Sequence, residues 1–254
     1  MKVAKNVEIE MLTLSASMMG KVETIYPTLL WDEKDLLLVD TGYPGQLPLL
    51  EEAFCKLGKS TKEITSIIMT HQDLDHIGSL PDIIKESEQN IEVLSSPFEQ
   101  PYIQGDKPLL KLTPEAIKQA QASLPPQLPE QWRSAFIFML KNPPRAQVHR
   151  TLQDGEQLPC CGGITVIPTP GHTPGHISLY HQPSKTLIAG DAMVVTEGQL
   201  FGPDEMHTLD LRTAYNSLHQ LTQYDIDTVI CYHGGMYTGA ANRRIAELAR
   251  EMPL

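Results

Sequence analysis

The stretch His71-Gln72-Asp73-Leu74-Asp75-His76 decides how this chain is read; it follows a short apolar, β-branched run from Ile64 to Thr70. It sets two imidazoles and two carboxylates, all potential metal ligands, in one short polar loop. Carboxylates that close repel each other unless positive charge lies between them, so the loop implies a cation. Three more such groups follow apolar runs. His172 lies in Pro170-Gly171-His172-Thr173-Pro174-Gly175-His176, just past the run 164–168. Asp191 closes Ile188-Ala189-Gly190-Asp191, and His233 closes Val229-Ile230-Cys231-Tyr232-His233. Four expected strands thus deliver imidazole or carboxylate at their C-terminal ends, where sheet-based folds place their sites. The adjoining glycines (Gly171, Gly190, Gly234, Gly235) allow tight turns around a bound centre.

Outward from these loops, short buried strands interleave with amphipathic helices. Thr28–Trp31 and Leu36–Val39 flank Asp32-Glu33-Lys34-Asp35 as a hairpin, and the second run ends in Asp40-Thr41-Gly42. Helical spacing runs from Leu47 to Leu57 and stops at Gly58, and it returns from Ile77 to Ser87. Strands are expected at 164–167, 176–181, 186–189 and 228–232, with helices at 209–224 and 240–252. This alternation predicts an α/β or α+β fold in one domain, 1–254, with no internal repeat. Residues 105–150 break the pattern. Thr113-Pro114-Glu115 and Leu128-Pro129-Glu130 read as helix starts, and the second helix carries Trp132, Phe136, Met139 and Leu140 in a stripe. Such a helical insertion either buries its stripe on the domain or offers it as a cap or a homodimer contact.

The chain has 254 residues, 41% of them hydrophobic, with a net charge of −11. Nucleic acid is an unfavourable partner for so acidic a surface. No apolar stretch approaches the roughly 20 residues needed to span a bilayer, so no membrane role is expected. Met1-Lys2-Val3-Ala4-Lys5 runs into Glu8 and Glu10 without an apolar signal-peptide core. Cys55, Cys160, Cys161 and Cys231 show no metal spacing and read as free thiols, which points to the cytoplasm.

In combination, Asp40-Thr41-Gly42, the 71–76 loop, Gly171-His172, Gly190-Asp191 and His233-Gly234 resemble the metallo-β-lactamase-fold superfamily, which includes glyoxalase II and the acyl-homoserine lactonases. The resemblance covers nearly the whole chain outside 105–150. It implies a four-layer αββα sandwich with the site at the rim between two sheets. It also implies that His71, Asp73 and His172 hold one metal ion, that Asp75, His76 and His233 hold a second, and that Asp191 bridges them. Asp40 would organise the loop, and His176 would support the site without ligating.

Two departures bear on chemistry. Asp73 stands where the family usually has histidine. Three carboxylates facing two divalent ions and one bridging hydroxide then sum to zero, and the harder oxygen ligand makes iron or manganese plausible beside zinc. Asp191 stands where true β-lactamases have cysteine, and Val194 where the lactonases have tyrosine, which argues against penicillin hydrolysis and weakens the lactonase reading. The expectation is a dinuclear, metal-dependent hydrolase that turns a metal-bridging hydroxide on a small ester, lactone or thioester. Asp75 would position the nucleophile, while Tyr237 and His207, in segments within reach, would donate to an oxyanion. The alternative is a one-iron oxygenase of the persulfide dioxygenase type. A non-catalytic binding module would have little reason to hold seven ligands.

Overall fold

The computed structural model describes residues 7–18 and 21–251, so Met1–Lys5 and Met252 of the sequence reading lie outside the described residues. In chain order, β1 (Glu8–Met11), β2 (Leu14–Met18), β3 (Lys21–Ile25), β4 (Thr28–Trp31) and β5 (Leu36–Val39) lead into α1 (Leu47–Lys56). Next come β6 (Ser66–Ile68), α2 (Leu74–Ile77), α3 (Leu80–Glu86), β7 (Glu92–Ser95) and α4 (Gln100–Ile103). The insertion holds α5 (Pro114–Ser123) and α6 (Glu130–Lys141). The second half contains β8 (Arg150–Thr151), β9 (Gln157–Leu158), β10 (Ile164–Pro168), β11 (Ile177–His181) and β12 (Thr186–Gly190). It closes with β13 (Val194–Thr196), β14 (Gln199–Phe201), α7 (Leu211–Leu221), β15 (Thr228–Cys231), β16 (Gly235–Tyr237) and α8 (Ala241–Leu248).

The short strands lack polar alternation because both their faces are buried. Leu36 and Leu38 of β5 pack outward with Leu50, Phe54 and Leu80 beneath α1 and α3. Leu37 and Val39 point inward, where they meet Ile164, Val166, Leu179 and Ile188 of the other sheet. A third cluster joins Leu187, Ala189 and Val229 to Leu218, Leu221, Ile245 and Leu248 of α7 and α8. Helices, sheet, sheet, helices: these are the four layers of the αββα sandwich. One sheet runs β1-β4-β5-β6-β7-β8 and the other β16-β15-β12-β11-β10-β9. Strands β5 to β8 are parallel, as are β12 and β15, so several C-terminal strand ends gather at one rim.

The predicted hairpin forms with Thr28 opposite Val39 and Trp31 opposite Leu36. Asp32 stabilises its turn by accepting from the Lys34 and Asp35 N–H groups. The helix expected over 77–87 forms as α3, and α2 is a separate single turn that precedes it inside the polar loop. The His76 carbonyl accepts both the Thr41 N–H and its hydroxyl, at 2.7 and 2.6 Å, which ends α2. At Gly78 a Cβ would lie 2.2 Å from the Pro44 nitrogen, so only glycine lets the 41–44 loop approach there.

The insertion forms both expected helices, and Thr113 caps α5 by accepting from the Ala116 N–H at 3.1 Å. Its stripe is only partly covered: Leu140 is buried, Phe136 and Met139 are half-buried and Trp132 is exposed. No residue of α5 is buried and only Leu140 of α6 is, while Trp132 and Phe138 are 66% and 68% exposed. Amphipathic spacing fixed the helix and left open what its apolar face would meet. All four cysteines are free. Among the described residues, no helix is long and apolar enough to cross a membrane.

Candidate metal centre

The seven groups reach the rim by a few local devices. His71 follows β6 after two more buried residues, Met69 and Thr70. Asp73 sits at the N-terminus of α2, whose single turn carries Asp75 and His76, so half of the predicted polar loop is helical. His172 is presented by a loop held against α7: Gly171 has φ 134°, and a Cβ there would lie 2.2 Å from the Ala214 nitrogen. Asp191 and His233 leave the ends of β12 and β15.

Together these side chains form one cluster whose organising atom is Asp191 Oδ2. It lies 3.2 Å from His172 Nε2, 3.5 Å from both His76 Nε2 and His233 Nε2, and 3.9 Å from His71 Nε2. Asp73 Oδ2 is 2.9 Å from His172 Nε2 and 3.2 Å from His71 Nε2. Asp75 Oδ2 is 3.1 Å from His233 Nε2 and 3.7 Å from His76 Nε2. The cluster therefore divides into His71, Asp73, His172 and Asp191 on one side and Asp75, His76 and His233 on the other.

The donor set fits divalent cations. His71 Nε2, His76 Nε2 and Asp191 Oδ1 are buried without a hydrogen bond, an arrangement unfavourable for polar atoms unless they serve as ligands. Their far sides are engaged. His76 Nδ1 donates to Asp40 Oδ2 at 2.9 Å, and Asp40 also accepts from the Thr70 N–H and hydroxyl. The Thr70 hydroxyl oxygen accepts from His71 Nδ1 at 3.0 Å. These bonds assign the tautomers that turn both Nε2 lone pairs towards the cluster. His176 fills both its nitrogens elsewhere: Nε2 accepts the Asp191 N–H at 3.0 Å, and Nδ1 bonds Thr169 Oγ1 at 2.8 Å.

Electrostatics sharpen the picture. Burial would raise the Asp191 carboxyl, but His233, His76 and His172 hold it well below the usual range. Asp73 behaves alike, its burial outweighed by His71, His172 and Lys111. Asp75 is also lowered against its burial, chiefly by His76 and His233. Burial pulls His233 down, yet Asp191 and Asp75 push it up to about 10. His172, by contrast, is held below its ordinary value by burial and stays neutral. Three ionised carboxylates thus crowd around imidazoles that compete for protons where cations would serve.

Two predicted residues are not brought to the cluster. Tyr237 lies on β16 opposite Val229, towards the far end of β15, and packs with the helix-side core. His207 is 69% exposed and pairs with Asp204 at 3.3 Å. Neither side chain is among the groups that form the cluster.

Sequence reasoning also missed four residues that shape the site. Glu99, fully buried, accepts from the Gln72 N–H and side-chain amide and from the Thr173 hydroxyl and Gly175 N–H, at 2.8–3.1 Å. It ties the 71–76 loop to the loop of His172. Gln72 in turn accepts the Leu110 N–H at 2.8 Å, anchoring the start of the insertion. Tyr232 stacks on His76 with ring centroids 3.8 Å apart and donates to the Asp75 carbonyl at 2.5 Å. Lys111, from the insertion, contacts Asp73 and His172 directly. Of these, Tyr232 and Gln72 had a local signal, one beside His233 and the other between His71 and Asp73.

A family model described as the metallo-beta-lactamase superfamily matches residues 21–233. The chain is 29% identical over 229 residues to "Probable metallo-hydrolase YflN" of Bacillus subtilis (strain 168), covering 85% of this chain and 82% of that protein. It is 26% identical over 215 residues to "Hydroxyacylglutathione hydrolase GloC" of Haemophilus influenzae, covering 83% and 85%. Among solved structures, the metallo-beta-lactamase family protein TTHA1429 of Thermus thermophilus shares the fold with a TM-score of 0.67 at 23% identity, over 95% of this chain and 78% of that one.

Proposed function

The chain belongs to the metallo-β-lactamase superfamily, and from that premise we propose that it is a dinuclear metal-dependent hydrolase of a small ester, lactone or thioester. The observation that carries the reading is Asp191 Oδ2, which faces four imidazole Nε2 atoms at 3.2–3.9 Å and so can be shared between two half-sites. His71, Asp73 and His172 would hold one ion and Asp75, His76 and His233 the other, with zinc the first candidate and iron or manganese compatible with the oxygen-rich set. Divalent ions there would polarise a carbonyl oxygen and lower the pKa of water from near 16 to about 7.

The chain's own residues supply the rest. The lowered Asp75 carboxyl is ionised at neutral pH and can orient a water or accept its proton. Tyr232 fixes the Asp75 backbone, and Asp40 and Thr70 fix the rings of His76 and His71. The resemblance to a relative named for hydrolysing hydroxyacylglutathione favours an acyl-transfer substrate and places thioesters among the first to try.

The test is a panel of an aryl ester, an acyl lactone and a hydroxyacyl thioester, assayed after chelation and after reloading with zinc, manganese or iron. Turnover of at least one class, lost on chelation and restored by metal, is expected. No turnover of any class, with dioxygen consumed on a persulfide by the iron-loaded protein, would overturn the hydrolase in favour of the oxygenase.

A further inference from the structure

Lys111, from the insertion, enters the ligand cluster. Its ammonium lies 2.5 Å from Asp73 Oδ2 and 2.7 Å from His172 Nε2, while those two atoms are 2.9 Å apart. The ammonium thus donates to the same two atoms that would ligate an ion in the first half-site. The second half-site, Asp75, His76 and His233, has no lysine or arginine among its ion-pair partners in the described residues.

Lys111 is held in place on both sides. The Leu110 N–H donates to Gln72 Oε1 at 2.8 Å, and Leu109 is buried in the core, with its carbonyl accepting the Leu112 N–H at 3.1 Å. The lysine side chain is 23% exposed, so it lies at the solvent-facing edge of the cluster. Charge favours its presence. Asp73, Asp75 and Asp191 carry three negative charges, which one ammonium and one divalent ion balance. A histidine at position 73 would offer no such counter-charge, so Asp73 and Lys111 form a matched pair.

We propose that Lys111 is a tethered cation occupying the first half-site, so that the two half-sites fill in order. The first ion takes Asp75, His76, His233 and Asp191. The second binds His71, Asp73 and His172 only by displacing the Lys111 ammonium, with loss of its two charge-assisted hydrogen bonds. Lys111 is a positioning residue that sets occupancy of the centre. This inference rests on the metal-dependent reading given above.

The experiment is a zinc titration of the metal-free full chain against a competing chelator, for wild type, Lys111→Met and Lys111→Gln. In wild type the second step should be at least about tenfold weaker than the first, equivalent to about 1.4 kcal/mol. Both variants should tighten the second step by about tenfold and leave the first unchanged. In parallel, mass spectrometry of acetylated wild type should show Lys111 protected with one ion bound and modified once the second binds. A second step unchanged or weakened in both variants, or equal Lys111 protection in the one-ion and two-ion forms, would overturn the proposal. Failure of zinc to bind any of the three proteins would instead overturn the metal-dependent reading beneath it.

Discussion

Replacing Glu99 by glutamine tests whether the support around the cluster matters as much as the ligands. The change keeps shape and removes one acceptor oxygen. Oε2 accepts from the Gln72 N–H and side-chain amide, and Oε1 from the Thr173 hydroxyl and Gly175 N–H. A glutamine can keep its oxygen towards Gln72, and the Thr173 hydroxyl can rotate to accept from the new amide. The Gly175 N–H is then left buried without an acceptor. One orphaned donor together with the loss of a charged acceptor costs about 2–3 kcal/mol. For a chain of this size that lowers Tm by about 4–12 °C, measured without metal on both proteins. Slippage of the two ligand loops should also weaken metal binding by about 10–100-fold, as removal of outer support does elsewhere. Differential scanning calorimetry and a chelator-competition titration read the two effects. A Tm within 2 °C of wild type, a margin roughly matching a neutral surface change, together with unchanged affinity, would refute the reasoning.

Three further outcomes follow from the same geometry. Asp75→Ala should lower kcat by about several orders of magnitude in the loaded enzyme while circular dichroism shows the fold intact; near-normal turnover would remove Asp75 from the mechanism. His181 is held below its ordinary value by burial, against the pull of the Cys161 carbonyl. Its stabilising contribution is therefore present above pH about 6.5 and lost as pH falls through that value towards its folded-state value. His181→Gln should flatten the acid limb of a stability-against-pH profile by up to about 1.4 kcal/mol per pH unit, and a parallel profile would contradict this. Trp132→Ala should leave chemical-denaturation stability within about 0.5 kcal/mol, because the ring is already 66% exposed; a larger loss would show that α6 is packed more tightly than its exposure indicates.

The seven cluster residues were legible because polar ligating groups stand out at the ends of apolar runs, and each run became a strand or its continuation. The layers were legible for the same reason: β5 reads Leu36 to Val39 without a polar residue, as a strand buried on both faces must. The residues that escaped notice are those whose partners lie far along the chain. Glu99 meets Thr173 across 74 positions, Lys111 meets His172 across 61, and Tyr232 meets Asp75 across 157. A glutamate or lysine in a segment without other ligands carries no local mark of such a partner. Tyr237 is kept apart from the cluster for a related reason, since the β15–β16 turn sets it level with Val229 rather than with His233. The insertion's caps were readable at Thr113, while the exposure of Trp132 and Phe138 depends on packing that periodicity does not encode.

The central claim is that Asp191 joins a metal centre built from the rim loops. The most direct measurement is anomalous scattering at the zinc edge from crystals of the full chain grown with saturating zinc. The account predicts density bonded to Asp75, His76, His233 and Asp191 at about 2.0–2.2 Å, with a second peak against His71, Asp73 and His172. No anomalous peak within bonding distance of Asp191 in zinc-saturated crystals would contradict it.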